Sequence, residues 1–295
     1  MAWDEGFVAL AAITLLASVV TGALGYGFSS LTVPVALLFH SGRVLNPALV
    51  LVEVVLNLYA LLINRAALAR VWPRVRALVV GLVPGVALGG YLLFAVQPAW
   101  MKLFTYVVLL PLLMLQAAGV RRPVKSEAAA GLAVGTGVGV LYSVTTISGP
   151  PLALLFNNQG LVKEDFRAGL AVVRTAESVL TALAYLWLGL FTAHTFSFLG
   201  AVVPSVLVGL PLGALLIARV QPEVFRRVCM SFDIWVVAFG LSRVMPELKL
   251  IDAGYSWHVF LLPVVIDLVI LVHFFLARRK AAGENASATA LAVRT

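Results

Sequence analysis

The chain has 295 residues, of which 62% are hydrophobic and 12% charged, against roughly a quarter charged in an ordinary soluble domain. A water-soluble fold cannot hide that much apolar surface. The net charge of +8 and single cysteine, Cys229, do not alter this: the basic residues sit in short stretches between apolar runs, which points to membrane orientation and not to nucleic acid, and an internal disulfide is excluded.

Uncharged runs cover 6–42, 77–101 and 128–162, each longer than the ~18 apolar residues that indicate a spanning segment. Inside hydrocarbon no water satisfies backbone N–H and C=O groups, so only helices or a closed barrel can cross. Long Leu/Val/Ala runs without a period of two select helices. The start, Met1-Ala2-Trp3-Asp4-Glu5, lacks the basic region of a signal peptide, so the first apolar stretch is expected to be retained.

In chain order the predicted helical segments are 6–40 (interrupted), 44–64, 77–97, 100–119, 128–160 (interrupted), 166–189, 195–218, 224–243 and 256–277, followed by a disordered tail over 281–295. The basic groups Arg65/Arg70/Arg74/Arg76, Arg121/Arg122/Lys125, Arg219/Arg226/Arg227 and Arg278/Arg279/Lys280 belong in the cytoplasm by the positive-inside rule, with the N-terminus outside and the C-terminus inside. Segment 44–64 then starts outside, as the chain itself does, so 6–40 must enter and return on one side. By the same reasoning 128–160 enters and returns on the other. About 35 residues of helix would run ~52 Å, too long for one ~30 Å crossing and short for two. Both interrupted segments are therefore expected to be hairpins.

The halves also resemble each other. Pro34-Val35-Ala36-Leu37-Leu38-Phe39 matches Pro151-Leu152-Ala153-Leu154-Leu155-Phe156. Gly85-Val86-Ala87-Leu88-Gly89 with Gln97-Pro98 matches Gly209-Leu210-Pro211-Leu212-Gly213 with Gln221-Pro222. Repeat one covers 6–119 and repeat two 126–243, with 256–277 as an extra helix. Because one starts outside and the other inside, the expected fold is an all-α polytopic bundle of two inverted repeats, a plan in which broken helices meet at the membrane midplane around a substrate site.

The breaks carry the chemistry. The first runs from Thr21 to Pro34 and contains Tyr26, Ser29, Ser30 and Thr32; the second runs from Gly139 to Pro151 and contains Thr145, Thr146, Ser148 and Gly149. Hydroxyl residues precede a proline in each, the order of a helix N-cap and first-turn Pro. Two helix N-termini would face inward, each favouring an anion by ~0.3–2 kcal/mol. A competing reading is that the hydroxyls only cap their own helices.

Ionisable residues inside a membrane are costly and are functional candidates. Asn46, Glu53, Asn57 and Asn64 lie at spacings of seven, four and seven, on one helical face. Arg174, Ser178, Thr181 and Tyr185 form a corresponding stripe, with Glu177 beside it. An offset near 120 residues sets Glu53 opposite Arg174. Arg174 either binds the substrate, its fork gripping two oxygens, or pairs with Glu53 or Glu177. The carboxylates Glu53, Glu177, Asp233 and Asp267 are the candidates for proton coupling or ion pairing, and Asp267 equally for a subunit contact that leaves a homodimer open. The four histidines lack metal-ligand spacing, and no cofactor motif is present.

The glycine-rich break leading to Val33-Pro34, its counterpart Ile147-Ser148-Gly149-Pro150-Pro151-Leu152, and the segment Gly213-Ala214-Leu215-Leu216-Ile217-Ala218-Arg219-Val220-Gln221-Pro222 resemble the TauE/SafE sulfite and organosulfonate exporter family over about residues 6–243. The resemblance implies a small-anion permease of the cytoplasmic membrane, with sulfite or a sulfoacetate-like sulfonate as first-choice substrate. The alternatives are a permease for another small organic anion or a non-transporting scaffold subunit. An enzyme is disfavoured for want of a nucleophile–base or metal constellation.

Overall fold

A computed structural model of the chain describes residues 5–24, 27–119, 127–159, 161, 163–217 and 222–292. Its helices are α1 (Glu5–Leu24), α2 (Phe28–Ala36), α3 (Gly42–Ile63), α4 (Leu68–Ala95), α5 (Pro98–Ala117), α6 (Glu127–Thr145), α7 (Gly149–Asn158), α8 (Lys163–Trp187), α9 (Ala193–Ile217), α10 (Pro222–Glu247) and α11 (Ser256–Ala292). There is no strand among the described residues, and 8 helices are long and apolar enough to cross a membrane. The protein is an all-α polytopic transmembrane bundle.

Both interrupted segments are broken where hydroxyl and glycine residues concentrate, but the two breaks are built differently. In the second, α7 opens at Gly149 with Pro150 and Pro151 in its first turn, as a proline with no N–H to lose prefers. In the first, α2 opens at Phe28, and Pro34 lies inside the helix. Ser29, Ser30 and Thr32 are thus helical residues and not a cap. The residue before α2 is Gly27, at φ 112° and without a side-chain cap; that backbone angle is strained for any residue with a Cβ.

Two segments extend beyond their expected bounds. Helix α4 takes in Arg70, Arg74 and Arg76, whose long side chains reach out of hydrocarbon while the backbone stays helical. Helix α11 continues to Ala292, through the stretch expected to be a tail. Alanine recurs along it, and alanine is the best intrinsic helix former.

Close packing comes from small residues. On α4, Gly81, Gly85 and Gly89 lie against the α6 backbone at Leu132, Thr136 and Val140, and Gly135 of α6 meets Leu78. On α9, Gly209 and Gly213 lie against Ser18 and Val19 of α1, and Gly22 meets Leu210. Lipid gives helices no hydrophobic reason to associate, so backbone approach of this kind supplies the contact. The repeated Gly-x-x-x-Gly motif of the sequence has this role in both places: α4 on α6, α9 on α1.

The same contacts give direction. Ala11 lies by Ser205 and Val19 by Gly213, so α1 runs alongside α9; Ala77 lies by Gly131 and Gly89 by Ser143, so α6 runs alongside α4. His40, beyond α2, returns to the carbonyl of Gly6 and the ring of Phe198, and Arg43 binds the carbonyls of Leu93 and Val96. The start of α1 therefore shares an end of the bundle with the end of α4. The start of α8, through Asp165, meets Arg70 at the start of α4, and α6 starts at that same end. The hairpins α1–α2 and α6–α7 enter from opposite ends.

Apolar side chains divide into two main cores. One is built by α1, α2, α3, α5, α9 and α10, the other by α4, α6, α7 and α8. Helix α11 meets the first core only at its edge, through Val259, and is fastened to α10 by buried Asp267, which accepts from Arg227 Nη2 at 2.7 Å and Trp235 Nε1 at 3.0 Å. Removing Asp267 would leave a buried guanidinium uncompensated, so its charge has a structural task in holding α11.

A Cβ on Gly85 would stand 2.2 Å from the Thr136 carbonyl, whereas one on Gly137 would meet nothing within 4 Å. Gly85→Leu is expected to abolish the monodisperse folded species in detergent on size-exclusion chromatography, and Gly137→Leu to leave it intact. Equal profiles would show that the glycine stripe does not hold α4 to α6.

Candidate functional site

The seam between the two cores is polar, and its centre is the Glu53 carboxylate. Glu53 is wholly buried on α3. Its Oε1 accepts from Ser29 Oγ of α2 at 2.6 Å and Arg174 Nη2 of α8 at 3.0 Å, and its Oε2 accepts from Tyr142 OH of α6 at 2.5 Å. An ionised carboxylate accepts several such bonds, and here every one comes from a different helix.

Arg174 pairs with Glu53 across helices and not with Glu177 three residues along its own helix. The Glu177 carboxylate takes a hydrogen bond from Ser148 Oγ, just before α7. Each hairpin thus gives one serine from its break to a buried carboxylate on the long helix that follows: Ser29 to Glu53, Ser148 to Glu177. Neither serine caps its own helix.

Around this centre, Asn57 Nδ2 donates to the Arg174 carbonyl at 3.1 Å and to Ser178 Oγ at 3.3 Å, locking α3 to α8. Asn46 Nδ2 donates to the Val144 carbonyl, and Tyr185 OH to the Ser143 carbonyl, so the last turn of α6 loses no buried acceptor where it unwinds. Several polar atoms stay without a hydrogen-bond partner among the described residues, including Arg174 Nε, Glu177 Oε2, Thr32 Oγ1 and Asp233 Oδ1. Native proteins rarely leave so many buried groups unpaired unless something else engages them.

Thr145 and Thr146 act locally. The Thr145 hydroxyl donates to the Leu141 carbonyl at 2.7 Å and accepts from Ile147 N at 3.0 Å, and Thr146 holds a positive φ of 55°, an uncommon conformation for a β-branched residue. Their hydroxyls organise the break. Tyr26 lies outside the described residues. Asp267 belongs to the α10–α11 contact, away from this seam.

A cavity of about 1270 Å³ extends between the seam and the end of the bundle that carries the basic residues, with the exposed apolar residues Val55, Tyr59 and Leu207 along its side. Arg174 and Asn57 line it at depth, with Phe28 of α2 and Thr21 of α1; Arg167, Glu223 and Arg226 line it toward the exposed end. Arg174, 8% exposed, is the innermost cation on this path. The role of Tyr142 is one that sequence reading did not assign. Its signal was present: a phenol inside an apolar, Gly/Ser-rich span needs a partner for its OH.

The family model of the sulfite exporter TauE/SafE matches residues 10–239. The chain belongs to the TauE/SafE family. The matched region takes in both hairpins, the seam and most of α10, and leaves α11 outside, so Glu53, Arg174, Glu177 and Asp233 all fall within the TauE/SafE unit. The protein is a multi-pass membrane protein of a transporter family. Comparison with curated proteins and with solved structures returned no match.

Glu53→Gln leaves Arg174 buried beside a neutral partner, and Arg174→Gln leaves the Glu53 carboxylate without its counter-charge. Breaking a buried pair from one side costs about 3–5 kcal/mol. Thermal unfolding in detergent is expected to show each single variant strongly destabilised and the double variant less so than the two losses added. Strict additivity would mean that the pair is not coupled.

Proposed function

We propose that the protein is a secondary transporter of a small anion, with sulfite or an organosulfonate as substrate, working by alternating access between two inverted repeats. The observation that carries this reading is Arg174 itself: a buried guanidinium with Nε unpartnered among the described residues, set deep in a cavity that runs to the basic end of the bundle. A guanidinium is weakly hydrated and presents a planar fork to two oxygens of one anion, as a sulfonate or sulfite offers. The Asn57 amide lies beside it. Phe28, the first residue of α2, brings a helix N-terminus to the same cavity, where unpaired N–H groups favour negative charge.

Alternating access draws support from the helix pairings. Exchanging α1 through α5 with α6 through α10 turns the α1–α9 contact into α6–α4, and each of these pairs packs through glycines. Such an exchange would carry each hairpin from one end's environment to the other's. The basic residues Arg70, Arg74, Arg76, Arg167 and Arg226 gather at one end of the bundle, where Arg167 and Arg226 line the cavity, and the positive-inside rule assigns that end to the cytoplasm. In this orientation a cytoplasmic anion passes Arg167 and Arg226 before it reaches Arg174. The Glu53 carboxylate holds the guanidinium in place and keeps the empty site near neutrality, which limits the cost of a lone charge in hydrocarbon.

The decisive measurement is flux into proteoliposomes of sulfite, sulfoacetate, taurine and acetate. Saturable flux of sulfite or sulfoacetate is expected, with acetate slower. Arg174→Lys, which keeps the charge and loses the fork, should weaken apparent affinity by ~10-fold or more. Absence of flux for every anion would sink the transport reading, and unchanged affinity in Arg174→Lys would confine that residue to the ion pair.

A further inference from the structure

A second polar site lies beside the first and is built by α10. Asp233 is 5% exposed, and its Oδ1 has no hydrogen-bond partner among the described residues. It lines a cavity of about 20 Å³ together with Gly27 and Ser30 of α2, Gln116 of α5 and Pro150 of α7. The Ser30 hydroxyl donates to the Gly27 carbonyl at 3.1 Å and also faces the Asp233 carboxyl. Both hairpin helices therefore begin at this spot: α2 with Phe28, directly after Gly27, and α7 with Gly149, directly before Pro150.

The placement has an electrostatic meaning. The N-terminal N–H groups of a helix attract negative charge, and Asp233 puts a tethered carboxylate at the very end that the transported anion would approach from the neighbouring cavity. Leu24 and Arg226 line both spaces, so the small cavity adjoins the large one. Two negative charges at one helix end in a low-dielectric setting repel strongly. A cavity of this size holds roughly one water molecule, too little for a sulfonate beside Asp233. The charges facing the carboxylate are few. Arg226 and the Cys229 thiol come from α10 itself, while α1, α2, α5 and α7 present only uncharged residues.

We propose that Asp233 is the proton-coupling site of the transporter: its carboxylate holds the N-terminal end of α2 when the substrate site is empty, and it takes up a proton when the anion arrives. One proton then travels with each anion bound, and the helix end exchanges a tethered negative charge for a mobile one. This rests on the transport reading above and names its coupling ion. Glu53 is tied into the ion pair with Arg174 and into hydrogen bonds from Ser29 and Tyr142. The charge on Arg226 at the shared wall of the two cavities is positioned to receive the anion as Asp233 is neutralised.

The test has two arms, both on the full chain. In weakly buffered detergent solution, adding sulfite to the wild type should raise the pH as protons are taken up, whereas Asp233→Asn should bind sulfite without that uptake. In proteoliposomes, an acidic exterior should drive sulfite accumulation by the wild type. Asp233→Asn should lose this accumulation and keep sulfite/sulfite exchange. Asp233→Ala equally lacks a titratable group and should behave as Asp233→Asn does; this variant serves if Asp233→Asn does not fold. Proton-driven accumulation surviving in either Asp233 variant, or accumulation following a Na⁺ gradient instead, would overturn the assignment. Failure of the wild type to move any anion is a different result, and it overturns the transport reading itself.

Discussion

The Glu53 carboxylate joins helices that otherwise belong to separate cores. Ser29 reaches it from α2, Tyr142 from α6 and Arg174 from α8, while Glu53 itself stands on α3. In hydrocarbon an isolated carboxylate or guanidinium is very costly, so each of these charges is tolerable only while the other is in place. That mutual dependence fixes the spacing of α3 and α8 and sets both hairpins against them. It also decides what the cavity offers an incoming anion: a guanidinium already oriented by a carboxylate, with unused hydrogen-bonding capacity.

Breaking helices inside a bilayer exposes backbone groups with no water to receive them, and the chain answers this in different ways at its two breaks. At the second, side chains do the work: Asn46 and Tyr185 take the carbonyls of Val144 and Ser143, and Thr145 bonds both Leu141 and Ile147. At the first, α2 starts on a glycine in the left-handed region, and Asp233 of α10 faces the new helix end. Serines freed from capping are then available to the carboxylates, Ser29 to Glu53 and Ser148 to Glu177.

Membership of the TauE/SafE family and the geometry of the seam bear on different levels of function. Family membership places the chain in a family of membrane transporters. Arg174, Asn57 and the α2 terminus give a physical reason for an anion, and the Asp233 cavity a reason for coupling its passage to a proton. The two carboxylates are separated by environment: one is held by several donors and an arginine, the other has an unpartnered oxygen beside a small cavity.

Much of the architecture was legible in the chain because the bilayer makes strong demands on sequence. Apolar length set the spans, and the uncharged stretch 6–40, too long for one crossing and short for two, called for a hairpin before any contact was known. The stripes Asn46–Glu53–Asn57 and Arg174–Ser178–Thr181–Tyr185 marked the helix faces that meet, since polar residues at helical spacing cannot face lipid. What the sequence could not decide was the partner of each polar group. Arg174 had two carboxylates within plausible reach, and only the packing of α3 on α8 puts Glu53 there while Ser148 occupies Glu177. Proline order predicted that Pro34 would open α2, yet the helix starts six residues earlier at Phe28, because Gly27 could take the backbone turn that a hydroxyl cap would otherwise provide. Asp233 and Asp267 look alike as buried acids on apolar helices; one is paired with Arg227 and the other faces an anion-attracting helix end. Local pattern determines which residues must be buried, whereas the identity of their partners depends on distances between helices remote in sequence, and those exist only once the bundle has packed.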